Sequence, residues 1–105
     1  MLKFYIVDLS IHIMAILKQL QDVLALTAEL AHNNVNEDVR HTLVIDRMRL
    51  PEHETHKYIH KLESLGLIRI QPRMNRATDE KGREFRLINI TKEGLQELSS
   101  NQTLQ

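Results

Sequence analysis

The chain has 105 residues, of which 42% are hydrophobic and 27% charged, with 14 Lys and Arg against 14 Asp and Glu. That length holds one domain around one core, the composition is that of a folded soluble protein, and the zero net charge excludes a uniformly basic nucleic-acid binder. There is no cysteine, which excludes disulfides, thiolate metal sites and cysteine nucleophiles and suits a reducing cytoplasm.

Residues 1–17 are strongly apolar. They have neither the basic start nor the small-residue cleavage site of a signal peptide. A membrane span would have to bury Lys3, Asp8 and His12 in a stretch barely long enough to cross. The expectation is a soluble cytoplasmic protein with no membrane partner. From Leu9, apolar residues recur at Ile13, Ile16, Leu17, Leu20, Leu24, Leu26 and Leu30, close to the helical period. This predicts a long first helix, capped by Asp8 or Ser10 and ended by Asn33-Asn34, with a break allowed near Asp22. Leu2, Phe4, Tyr5, Ile6, Val7, Ile11 and Met14 fall outside that stripe. A monomer exposing all of them would carry a large apolar patch, so residues 1–33 are expected to form a homodimer through Phe4, Tyr5, Val7, Ile11 and Met14.

Asn36 is a start signal for a second helix, with Glu37 and Asp38 in the first turn and Val39, Leu43, Val44 and Met48 buried. Arg49-Leu50-Pro51 makes a corner, because proline suits the first turn of the next helix. The third helix is expected from Glu52 to Leu65, stopping at Gly66. Thr55, Ile59 and Leu62 stack on its core side, flanked by Tyr58 and Leu65. His53, His56, Lys57, His60, Lys61 and Ser64 fall on the other side. Leu67–Ile70 reads as a strand and Arg83–Ile90 as a second, joined by a polar loop with a mobile tip. Thr91 caps a short last helix that docks Leu95 and Leu98 and ends near Ser99, and residues 101–105 form a frayed tail. Between Thr55 and Arg76 the charges are Lys57, Lys61, Arg69, Arg73 and Arg76 against Glu63 alone, so a neutral chain has one basic face.

Leu43 to Ile68 resembles the helix-turn-helix of winged-helix transcription regulators of the MarR, PadR and ArsR kind. The resemblance rests on Ile45, Leu50 and the run Leu62-Glu63-Ser64-Leu65-Gly66-Leu67-Ile68. Ile90-Thr91-Lys92-Glu93-Gly94 is similar to the close of the wing in those groups, and Gly82-Arg83 stands where many members have Gly-Arg. Ile45 is larger than the usual small residue there, and Glu52 and Glu54 open the third helix with negative charge. The resemblance covers about half of the chain and implies a mainly α (α+β) winged helix-turn-helix. In that fold residues 1–100 form one domain: a long helix to 33, the helix-turn-helix over 36–66, a two-stranded wing over 67–90 and a short helix over 91–99.

It also implies a sequence-specific double-stranded DNA-binding transcription regulator. The third helix then lies in the major groove and the wing on the backbone or the minor groove. Carried over by position, Glu52, His53, His56, Lys57, His60 and Lys61 contact DNA from the helix, and Arg73, Arg76, Lys81 and Arg83 from the wing. Glu52 can accept from a cytosine amino group.

His53, His56 and His60 are spaced like metal ligands on one helix, but three along one helix do not close a tetrahedron and no carboxylate stands by as the fourth. No metal and no cofactor are expected. With three glycines, no cysteine and few serines, no enzyme motif is present. The alternative to DNA is a winged helix that binds protein within a larger assembly. Such a helix shows aromatic or aliphatic anchors on its exposed face, whereas this one shows His and Lys. An effector or metal sensor would need a cavity or ligand set that the sequence does not display.

Overall fold

The computed structural model describes residues 18–73 and 77–103. The first described element, α1, spans residues 18–30. It buries Leu20, Val23, Leu24, Thr27 and Ala28 on one stripe at helical spacing, continued by Ala31 in the turn that follows. The Thr27 hydroxyl donates to the Val23 carbonyl at 2.8 Å, so its burial leaves no polar group unsatisfied. The helix runs through Asp22 without a break, because that residue sits on the exposed side. It closes where His32 (φ 54°) and Asn33 (φ 57°) turn left-handed and the Asn33 N–H reaches the Ala28 carbonyl at 2.8 Å. The expected dimerisation residues Phe4, Tyr5, Val7, Ile11 and Met14 and the start of the helix lie outside the described residues.

Asn36 does not start a helix. Asn34 Oδ1 accepts its N–H at 2.9 Å, forming a turn. Val39–Arg40 then forms a strand, β1. Strand pairing wins here because Val39 is β-branched and buried opposite Ile88. A buried asparagine also fixes the preceding loop. Asn89 Nδ2 donates to the Glu37 carbonyl at 3.0 Å and to Asp38 Oδ1 at 2.8 Å. The second helix is therefore only His41–Met48 (α2), and it buries Thr42, Val44 and Ile45, with Leu43 and Met48 half-buried. Arg49 at its end is left-handed, with φ 57°.

The third helix, α3, is Glu52–Ser64, with Thr55, Ile59 and Leu62 buried as expected. The half-buried Tyr58 hydroxyl donates to Gln19 Oε1 and ties α3 to α1. Leu65 does not flank the core: it is 52% exposed. It sits at the cap, one residue before the left-handed Gly66, on the edge of the apolar stripe.

Strands β2 (Ile68–Ile70) and β3 (Leu87–Ile90) complete a three-stranded antiparallel sheet in the order β1-β3-β2, with Ile68 opposite Ile90 and Ile70 opposite Ile88. The wing thus rests on three strands rather than two. β3 begins four residues later than expected, since Arg86 turns its N–H and guanidinium to His41 and Gln71. Ahead of it, among the described residues, Thr78 and Glu84 form an isolated antiparallel bridge.

Thr91 caps the last helix, α4 (Lys92–Thr103), accepting the Gly94 N–H at 3.0 Å and donating to the Gly66 carbonyl at 2.7 Å. The helix is longer than the expected 91–99 and extends to Thr103. Gly94 has a packing reason: a Cβ there would lie 2.2 Å from the Leu67 carbonyl oxygen. Among the described residues no helix is long and apolar enough to cross a membrane.

Candidate nucleic-acid interface

Around α3, the buried stripe leaves His53, Lys57, His60 and Ser64 pointing directly away from the core, with Lys61 beside them. All five are exposed. Glu52 and Glu63 lie on one flank and Glu54 on the other. The outermost face therefore carries cationic and imidazole side chains and no carboxylate. Among the described residues, neither Lys57 nor Lys61 forms an ion pair. Glu63 is turned to the sheet, where its carboxylate accepts the Ile70 N–H at 3.3 Å.

The histidines divide differently from their spacing in sequence. His56 is half-buried, with its ring centroid 5.4 Å from His41 on α2 and 6.5 Å from His60. His41 was not singled out by the sequence, because its neighbour lies on another helix. Its Nδ1 accepts the Arg86 N–H at 2.8 Å, while its own backbone N–H donates to the Arg86 carbonyl at 2.9 Å. Burial lowers the affinity of the His41 ring for a second proton, and the charges of His56, Arg83 and Arg86 act in the same direction against the Arg86 carbonyl. His56 Nε2 stands 4.0 Å from Glu52 Oε1 one turn back. Among the described residues no three histidine or carboxylate side chains converge as a metal would require.

The wing is built more tightly than its composition suggests. Asp79 Oδ1 accepts the backbone N–H groups of Lys81 and Arg83 at 2.9 and 3.0 Å, and Gly82 takes φ 75° to close the turn. The Arg83 guanidinium reaches Asp79 and, in two bonds of 3.1 and 2.8 Å, Asp46 on α2. Burial alone would raise the Asp79 pKa. The two backbone donors and the Arg83 guanidinium outweigh it and bring it to about 2. Arg40 of β1 holds Glu80 at 2.8 Å and lies 4.9 Å from the centre of the Phe85 ring. The turn from Asp79 to Arg83 is thus tied to α2 through Asp46 and to β1 through Arg40.

Arg73 is 81% exposed, with Glu84 at 3.8 Å. Lys81 is exposed and Arg83 half-buried, while Arg76 lies outside the described residues. The residues expected from the sequence to contact DNA therefore differ in how far the fold leaves them available. Glu52, His53, Lys57, His60 and Lys61 are exposed; Arg73 and Lys81 are exposed but stand beside Glu84 and Asp46; His56 and Arg83 are half-buried. A cleft of about 510 Å³ between α3 and the wing is lined by Glu52, His56, Arg73, Arg83, Glu84 and Arg86, among others.

No family model matches the sequence, and no curated protein matches it. Solved structures do. The zinc-responsive MarR family member ZitR of Lactococcus lactis aligns with 98% of this chain and 75% of its own, at 14% identity and a TM-score of 0.56. A mutant of ZitR aligns at 17% identity and a TM-score of 0.57, with 82% of this chain covering half of that one. AF1382 from Archaeoglobus fulgidus aligns at 15% identity and a TM-score of 0.57, over 83% of this chain and 82% of its own.

The fold is a winged helix. It is the architecture of the MarR-family neighbours, with the corner between α2 and α3 forming the helix-turn-helix and β2, β3 and the described residues between them the wing. In this winged helix Thr91 and Gly94, the residues of the similarity at the close of the wing, are the junction between sheet and α4.

Proposed function

We propose that this protein is a sequence-specific double-stranded DNA-binding transcription regulator acting in the cytoplasm as a homodimer. The observation that carries the reading is the outward face of α3, on the second helix of a helix-turn-helix: His53, Lys57 and His60 point outward with Lys61 beside them, and Glu52 and Glu54 stand at the flanks. A helix of this width fits the major groove. Lys57 and Lys61 are long cations suited to phosphate, His53 and His60 can donate to base edges or phosphate, and Glu52 can accept from a cytosine amino group. Arg73, Arg76 and Lys81 supply wing contacts to the backbone. His56 and Arg83 serve by positioning the helix and the wing.

The homodimer is assigned to the N-terminal segment. In the sequence, Phe4, Tyr5, Val7, Ile11 and Met14 fall outside the apolar stripe of helical period and are apolar surface suited to a second copy. Two-fold symmetry would set the two α3 helices about 34 Å apart, one turn of DNA. The competing reading, a protein-binding winged helix, requires apolar anchors on α3. The outward face has none.

The test is nuclear magnetic resonance of the labelled protein titrated with duplex DNA. The amides of His53 to Lys61 and of Lys81 should shift at the lowest DNA ratios. Shifts confined to α1 or α4, or none at low salt, would overturn the assignment.

A further inference from the structure

Asp46 stands on the exposed side of α2 and crosses to the wing. Its two carboxylate oxygens take the Arg83 guanidinium at 3.1 and 2.8 Å, and Lys81 Nζ lies 3.5 Å away. An isolated surface ion pair contributes little, but a forked arginine–carboxylate pair within a network is a different case. Here Arg83 is shared with Asp79, whose side chain is only 3% exposed and which also fixes the turn through two backbone N–H groups. The guanidinium of Arg83 therefore has both its faces of donors engaged within the protein. The Asp46 carboxyl is held below the ordinary carboxylate range, first by its hydrogen bond with Arg83.

The consequence bears on DNA. Binding to non-cognate duplex is driven by cations that replace counterions on phosphates. α3 offers Lys57 and Lys61 without ion-pair partners among the described residues, whereas two of the wing cations are matched by a carboxylate of the same domain. We propose that Asp46 is a specificity-determining positioning residue, which holds Arg83 and Lys81 of the wing against α2 and withholds them from the phosphates of non-cognate DNA. The proposal rests on the DNA-binding reading above. It makes the wing a fixed shape rather than a loose basic arm, so affinity for arbitrary sequence stays low.

The experiment is fluorescence-anisotropy titration of a random-sequence duplex at several salt concentrations. Asp46→Asn should bind this duplex more tightly than the parent and steepen the slope of log affinity against log salt by about 0.9 for each released cation. In a background of Arg83→Met with Lys81→Met, the same substitution should leave the slope where it was. An unchanged slope in Asp46→Asn, or an increment that persists in that background, overturns the proposal, the latter by showing that Asp46 acts as a bare charge.

A DNA-free measurement separates this from the wider reading. The Asp46 carboxyl, followed by carbon resonance, should titrate below the ordinary carboxylate range and return to it in Arg83→Met. If it titrates in the ordinary range while the parent binds duplex, the proposal fails and the DNA reading stands. If it titrates low and the parent binds no duplex at any salt, both the reading and the specificity role fall, leaving a wing latch of structural value only.

Discussion

Gly94 is where a single atom matters most. A Cβ would sit 2.2 Å from the Leu67 carbonyl oxygen and 2.9 Å from the Ile90 side chain, and backbone cannot yield as a side chain can. Gly94→Ala should therefore cost about 3 kcal/mol by denaturant unfolding, the upper part of the usual range for overpacking. A loss under about 0.5 kcal/mol, the level of a neutral surface change, would show that α4 does not press on the β2 turn. His41 sets a pH dependence. Its folded-state pKa is lowered, chiefly by burial, so the unfolded chain binds the proton more readily. Stability should be full above the ordinary histidine range near 6.5 and fall as pH drops through it. Asn at this position keeps an acceptor for the Arg86 N–H without titrating. Unfolding measured between about pH 5 and 8, spanning that range, should give a flatter profile in His41→Asn than in the parent, and equal slopes would remove His41 as the cause.

At the scale of elements, the wing gives a contrast between two arginines. Arg73 is highly exposed and Arg83 is locked between Asp46 and Asp79. Arg73→Glu should weaken DNA binding broadly with the melting temperature unchanged. Arg83→Glu would place a third carboxylate beside two others, and should lower the melting temperature as well; two equally stable variants would mean that the latch does not form. The turn of the wing was legible as polar and basic, but its tie to α2 was not, because Asp46 and Arg83 lie 37 positions apart. The same limit hid β1 and the His41–His56 pair. Pattern along the chain specified α3, with its Thr55, Ile59 and Leu62 stripe, down to the face. It misread Asn36-Glu37-Asp38 as a helix start, since the signals that won were Val39 opposite Ile88 and the Asn89 side chain reaching back to that loop. Leu65 erred the other way, apolar in type and yet at the margin of the core.

For the whole molecule, two properties follow from where the charges and apolar residues lie. Light scattering should give twice the 12.3 kDa formula mass, and deletion of residues 1–7 should weaken association before it alters the helix-turn-helix. A mass near that of one chain at micromolar protein would sink the dimer. The zero net charge keeps general attraction to DNA low, so the proposed binding has to come from a local face. The most direct measurement is a salt titration of duplex binding by the parent and by Lys57→Ala with Lys61→Ala. The parent should bind with a steep salt dependence. The double variant should bind more weakly, with the slope reduced by about 0.9 for each phosphate that a lysine no longer neutralises. If the two proteins bind with the same affinity and slope at low salt, α3 does not face the DNA and the DNA-binding assignment is wrong.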